Sequence, residues 1–236
     1  MTRPDAESLL TGTWIDPAVF GLRPDYRAII MTATGIEPGV PADAALIASA
    51  ESAARDALSH TPVEELPHVA AWREAYRAFG AKPQRTRNSV EALMRRLDDG
   101  LPRVNPLTDL YNAISIQFQI PIGGEDLTRY QGAPRLIRAH GNEIFETTDS
   151  GQPCVEHPEV GEVVWADDAG VTCRRWNWRQ STRTRLTDDT TDALFIFDAL
   201  EPVPTTALQA AADLLAQALA TMGSDVSIRR RLLSEG

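Results

Sequence analysis

The periodicity of apolar residues along the 236-residue chain predicts an α+β fold. Three observations lead there. Apolar residues recur at helical spacing in several segments between residues 42 and 118. From residue 135 the pattern shortens to strand-like runs separated by Gly, Asp and Pro. Residues 205–222 then return to helical spacing. Helices first, strands next and a closing helix differ from the regular alternation of a βαβ protein.

Each element has its own local reason. Residues 14–20 and 28–34 read as short strands or irregular core segments, punctuated by Asp16-Pro17 and by Gly35 to Gly39. Residues 42–58 are alanine-rich, with Leu46, Ile47, Ala50, Ala54 and Leu58 on one helical face. Pro67 opens a helix carrying Val69, Trp72, Tyr76 and Phe79, and Gly80 stops it. A basic loop follows over residues 81–87. Asn88 with Glu91 three residues on resembles a capping box, and Gly100 marks the stop. Asn105 caps the next helix, with Pro106 in its first turn. Tyr111, Ile114 and Phe118 give that helix a buried side. Residues 135–139, 161–166, 171–178 and 193–198 read as strands. Leu208, Ala211, Leu214, Leu215 and Leu219 define the last helix, and Gly223 follows it. The segment Ile228 to Leu233 reads as a frayed polar tail. There is no internal repeat and no low-complexity linker.

Composition narrows the function classes. A hydrophobic fraction of 43% and a charged fraction of 24% fit a soluble globular protein. No apolar run reaches the roughly 18 residues of a membrane span, so no membrane association is expected. The first residues lack the apolar core of a signal peptide. Cys154 and Cys173 lie far apart and outside any C-x-x-C spacing, which fits a reduced cytoplasmic setting without disulfide or zinc. Phosphate-loop, dinucleotide, zinc-protease and serine-hydrolase signatures are absent, so no cofactor or metal is expected. A net charge of −10 argues against a generic nucleic-acid binder, and DNA is not an expected partner.

The distribution of charge qualifies that statement. Lys82 is the single lysine among 23 basic residues. Eight basic residues but only four acids lie between Arg73 and Arg103, and five arginines with no acid lie between Arg174 and Arg185. Guanidinium forks suit phosphates and carboxylates. Lys82, Arg85, Arg87, Arg95 and Arg96 therefore form a candidate phosphate-facing surface, unless the arginines pair with the 33 acids.

Residues 102–145 carry the most specific pattern. Asp109 and Asn112 stand one turn apart on a predicted helix. Pro121 leads into a Gly123-Gly124 loop that ends in Glu125 and Asp126, and a strand then runs to Gly141-Asn142-Glu143. This order resembles the B3/B4 domain of the phenylalanyl-tRNA synthetase beta subunit. There a D-x-x-N helix precedes a P-x-H-x-F-D loop, a strand and a G-x-E turn. The resemblance spans about residues 60–222, leaving 1–59 as an N-terminal extension packed on the core and 223–236 as a tail. It implies a layered β/β/α fold with mixed sheets and flanking helices. It also implies tRNA or aminoacyl-tRNA as partner, or a free amino acid as ligand, and hydrolytic deacylation of mischarged tRNA as activity. Synthetase activity itself is not expected.

Departures from the family pattern matter as much as the matches. With Pro121 fixing the register, Gly123 stands where the family has a histidine beside its editing pocket, while Asp126 keeps the aspartate. A reaction that needs that imidazole cannot run the same way here. His140, on the following strand, is no substitute. The family's glycine-rich A-G-x-M-G-G wall falls at Cys173 to Gln180, where this chain has bulky, charged residues before Ser181. Read as a strand, that block puts Arg175, Asn177 and Arg179 on one face and Arg174, Trp176 and Trp178 on the other. The first face could hold an anion; alternatively the guanidiniums stack on tryptophans. Glu143 and Glu162 each follow a glycine closely and read as hairpin ends. The family's acidic selector of the amino-acid hydroxyl falls near Ile196 or Phe197, with Asp198 the nearest acid.

The expected ligand site thus comprises Asn112, Gly123, Gly124, Asp126, Glu143, Arg175, Asn177 and Arg179, with no catalytic residue assigned. The rival expectation is a non-catalytic binding module for an amino acid, a small anionic metabolite or a protein. The missing histidine and the acidic charge favour that rival.

Overall fold

Capping chemistry sets most helix starts. The structure, a computed structural model, describes residues 5–235, so residues 1–4 of the expected extension and Gly236 of the expected tail lie outside it. Helices α1 (Ala6–Gly12), α2 (Pro17–Phe20) and α3 (Ala44–Leu58) begin on Asp5, Asp16 and Asp43, whose carboxylates accept first-turn N–H groups. Helices α4 (Pro67–Ala78) and α6 (Pro106–Phe118) open on proline, and Asn105 caps α6. Asn88 caps α5 (Ser89–Met94) by accepting the Glu91 N–H at 2.9 Å. The Glu91 side chain does not return to the cap; it takes Arg73 and Arg95 instead. Helix α7 (Thr205–Leu219) closes the helical set.

The strands are β1 (Trp14–Ile15), β2 (Arg27–Thr34), β3 (Ile122–Asp126), β4 (Arg135–Arg138), β5 (Phe145–Asp149) and β6 (Gln152–Glu156). They continue with β7 (Val163–Ala166), β8 (Val171–Arg174), β9 (Arg179–Gln180), β10 (Asp192–Ala199) and β11 (Ser227–Ser234). They form a mixed five-stranded sheet, β1-β4-β7-β8-β9, an antiparallel four-stranded sheet, β11-β2-β10-β3, and the β5-β6 hairpin.

Strand alternation builds the layers. Leu194 and Ile196 on β10 face the five-stranded sheet, joining Leu136, Val163, Trp165 and Trp176 in one core. Phe195 and Phe197 face the other way and pack against Leu107, Ile114, Leu208 and Leu215 of α6 and α7. All eight β10 residues are buried, as expected for a strand covered on both faces. A third core joins α3, α4, α5 and α6. The result is a layered β/β/α member of the α+β class. No helix among the described residues is long and apolar enough to cross a membrane, and both cysteines are free thiols.

Several local expectations change. Residues 17–20 form α2 rather than strand, because Asp16 and Pro17 supply a cap and a first turn. Gly123 and Gly124 lie within β3, paired with Ile196 and Phe195, and are not a loop. The predicted strand over 171–178 ends at Arg174. The expected tail is β11, paired with β2 along its full length. Its arginines are tied down: Arg229 to Glu7, Arg230 to Asp213, and Arg231 to the carbonyls of Leu10, Thr11 and Thr13. Strand β2, from the expected extension, is an inner strand between β11 and β10.

Candidate functional site

A cavity of about 210 Å³ opens on the face of the four-stranded sheet that looks toward the five-stranded one. Its floor follows from register. Gly123 pairs with Ile196 and Glu125 with Leu194, so Gly123, Glu125, Ile196 and Asp198 share that face. Gly123 puts no side chain into the space between the two acids. A Cβ there would stand 3.1 Å from Gln180 Nε2, which donates to the Gly124 carbonyl at 2.9 Å. Gly124 serves packing on the other face: a Cβ would meet the Tyr111 ring at 2.8 Å and Leu186 at 2.7 Å.

The turn after β8 supplies one wall. Arg175 and Trp176 adopt left-handed conformations, with φ of 49° and 67°. Such backbone is costly for bulky residues and needs outside support. Trp176 provides it: the indole is fully buried, 5.0 Å edge-on from Tyr26 and 5.3 Å from Trp72, and the residue's backbone N–H donates to the Val163 carbonyl at 2.7 Å. The turn aims Asn177 inward. Asn177 accepts from the Tyr76 hydroxyl at 2.9 Å and donates to Asp198 at 3.3 Å. Its backbone carbonyl accepts the Ser89 backbone N–H at 3.0 Å, fastening α5 to the turn.

The α5 wall is a helical stripe. Ser89, Ala92 and Leu93 line the cavity at i, i+3 and i+4, and Arg96 joins them from the turn that follows α5. Tyr111 and Asn112 of α6 line it beside them. Trp165, Cys173, Trp178 and Gln180 complete the side formed by the five-stranded sheet.

Two acids dominate the electrostatics. Burial raises Asp198 from 3.8 to about 7, although hydrogen bonds from Tyr26 at 2.5 Å and Asn177 offset part of the rise. Burial likewise raises Glu125 from 4.5 to about 7, against a hydrogen bond from Tyr130 at 2.6 Å. The Thr172 and Thr184 hydroxyls lie near enough to ease that rise. Neither reaches hydrogen-bond geometry, and Glu125 Oε1 has no partner. Neither acid has an ion-pair partner among the described residues. Cys173 is pushed well above the ordinary thiol range by burial, so it is no thiolate nucleophile at neutral pH.

The residues expected from sequence therefore divide. Asn112, Gly123 and Asn177 meet at the cavity. Arg175 and Arg179 do not share a strand face with Asn177, because the strand breaks at the left-handed turn. Arg175 reaches Thr86 and Glu162 and lies 4.5 Å over the Trp178 ring. Arg179 reaches Glu156, Thr147 and the Thr148 carbonyl. Asp126 caps the turn at Leu127–Arg129 and binds Thr128 and Thr190. Glu143 caps the turn at His140 and Gly141. Glu162 is no solvated hairpin end; it is buried and grips Arg174 through two hydrogen bonds of 2.8 and 2.9 Å.

The basic residues divide too. Lys82, Arg85, Arg87, Arg95 and Arg96 are all exposed. Arg87 and Arg95 lean on the buried Glu91, and Arg95 also pairs with Glu64 at 2.7 Å. Lys82, Arg85 and Arg96 have no ion-pair partner among the described residues. Sequence reasoning missed Glu125, Ser89, Trp165 and Gln180 as cavity residues. The stripe at 89, 92 and 93 was a readable signal for part of that set.

Comparison with known proteins adds the lineage. Residues 71–224 match the B3/4 domain, more than half of the chain. An N-terminal fragment of the phenylalanyl-tRNA synthetase beta-subunit from Pyrococcus horikoshii is similar in structure, with a TM-score of 0.47 at 12% identity. The match covers 91% of this chain and 49% of that one, so this chain spans about half the length of that fragment. No curated protein sequence matches. The match running from α4 through α7 takes in the cavity floor, the α5 stripe and the left-handed turn, and by it the chain belongs to the B3/4 domain family.

Proposed function

We propose that the cavity receives the aminoacyl group of an aminoacyl-tRNA and that the protein hydrolyses the ester of mischarged tRNA in the cytoplasm. The observation that carries this reading is the pair of buried, cation-free acids, Glu125 and Asp198, in an aromatic-walled cavity. Buried charge without a partner is costly, and a ligand ammonium group would relieve it. Glu125 keeps one oxygen unbonded and suits the α-ammonium. A cavity of about 150 Å³ can hold a benzene ring, so about 210 Å³ leaves room for an apolar or aromatic side chain with its polar head.

The two acids have separate tasks in this reading. Asp198 lies four residues along β10 from the partner of Glu125, on the order of 13 Å by strand rise. Each carboxylate oxygen has two acceptor sites, so Asp198 retains room for a water. A group near pKa 7 can act as base at neutral pH. Water would give a proton to Asp198 while its oxygen bonds to the ester carbon. The ribose oxygen would leave and take that proton back. Exposed Lys82, Arg85 and Arg96 would meet backbone phosphates.

A second reading is favoured by Gly123 at the family's histidine position: a module that binds an amino acid without turning it over. Deacylation of a panel of mischarged tRNAs, paired with amino-acid binding, separates the readings. Editing requires release from at least one tRNA and its loss in Asp198→Asn. Binding without release leaves the binding module, and neither activity refutes both.

A further inference from the structure

We propose that Arg96 and Ser89 form an anion-binding corner at the cavity mouth, so that the ligand carries an ammonium group at one end and an anion at the other. This assignment rests on the reading of the cavity as an amino-acid site and adds the second half of the ligand.

The cavity is polar in a directed sense. Its sheet floor carries Glu125 and Asp198. Its helical wall carries hydrogen-bond donors that the protein does not use. Ser89 Oγ is buried without a partner. The Asn112 side chain has no hydrogen bond among the described residues and lines the same cavity from α6. Arg96 is exposed, lines the same cavity and has no ion-pair partner among the described residues.

Its neighbours make that freedom specific. Arg73, Arg87 and Arg95 all converge on Glu91 Oε1, at 2.7, 3.6 and 3.1 Å. Glu91 lies off the α5 stripe that carries Ser89, Ala92 and Leu93. The acids of this region therefore neutralise the outer arginines and leave the cavity-facing guanidinium uncompensated. A guanidinium fork suits a carboxylate or a phosphate diester, and the Ser89 hydroxyl on the same wall offers a further donor. Acid floor and basic mouth together fit a zwitterion.

Two ligands supply that chemistry. A free α-amino acid offers its carboxylate. An aminoacyl-tRNA has no free carboxylate, and its nearest anion is the phosphate before the terminal adenosine. Calorimetric titration distinguishes them. The probes are the L-amino acids and their amides, and a non-hydrolysable 3′-aminoacylamino adenosine with and without a 5′-phosphate. Wild type and Arg96→Met are compared. Arg96 is exposed, so the variant should fold normally, as a circular dichroism melt checks.

Wild type should prefer one anionic probe over its neutral counterpart roughly tenfold, the size of one charged hydrogen-bonded contact. Arg96→Met should erase that preference and leave affinity for the neutral probe unchanged. Preference for the amino acid over its amide identifies the carboxylate; preference for the phosphorylated adenosine identifies the tRNA end. Binding with the same preference in both proteins, or with no preference in wild type, overturns the role of Arg96 alone. Failure of every probe to bind overturns the amino-acid reading and the corner with it.

Discussion

Replacing Asp198 by asparagine should stabilise the protein more at pH 8 than at pH 4. Asp198 rises from 3.8 to about 7 on folding. The native state thus holds a proton that the unfolded chain has released between those values. Native stability from this group is therefore greatest in acid and falls as pH rises from about 4 to about 7. At about 1.36 kcal/mol per pH unit, the gap amounts to about 4 kcal/mol once Asp198 is fully ionised. Asparagine has nearly the same shape but no charge. It keeps an oxygen for the Tyr26 hydroxyl, and any mismatch with Asn177 is the same at every pH. Urea unfolding of both proteins at pH 4, 6 and 8 gives the assay. The comparison must be a difference, because His68 titrates in the opposite sense. Burial lowers His68 from 6.5 to about 4, so its contribution is lost as pH falls through that window. Subtracting wild type from variant cancels it. The relative stability of the variant should climb by about 4 kcal/mol between pH 4 and pH 8. A difference that stays constant with pH would refute the claim that burial holds this proton.

Two further outcomes test other parts of the structure. Arg174→Met removes the two-pronged partner of buried Glu162, leaves Arg175 beside it at 3.5 Å, and should cost about 3 kcal/mol, read from the denaturant midpoint; adding Glu162→Gln should recover much of the loss, and no recovery would show that packing rather than charge sets the cost. Reversing charge at Lys82 and Arg85 should weaken tRNA binding and make its logarithmic salt slope shallower by about one for each lost phosphate contact; unchanged affinity and slope would remove this surface from the tRNA interface.

The layered α+β class and the helices α3, α4, α6 and α7 were legible because local signals define them. Spacing of Leu46, Ile47 and Ala50 marks α3, and Asn105-Pro106 starts α6. The D-x-x-N helix and the position of Gly123 pointed to the cavity for Asn112 and Gly123. What was hidden depends on contacts distant in sequence. Arg175 and Trp176 look like strand residues, and only the Trp176 pocket among Tyr26, Trp72 and Phe79 explains their left-handed backbone. The arginines at 175 and 179 looked available because Glu162 and Glu156 lie far away in the chain. Glu125 and Asp198 become a pair only when β3 aligns with β10. Strand β11 looked like a tail because three consecutive arginines break the apolar alternation that would mark a strand.

That last pairing constrains how the chain can be assembled. Strand β2 is made early, and its neighbours β10 and β11 are separated from it by most of the sequence. The apolar run from Ala28 to Ala33 must stay unmatched on both sides until those partners emerge. Non-local pairing of this kind raises the entropy of loop closure and slows folding. During synthesis such a strand is an aggregation hazard that chaperones would have to cover. A fragment trimmed to residues 71–224 would lose both β2 and β11, leaving β10 with β3 alone and Asp198 without the Tyr26 hydroxyl. The family segment is recognisable by itself, yet it reaches its native sheet only as part of the longer chain.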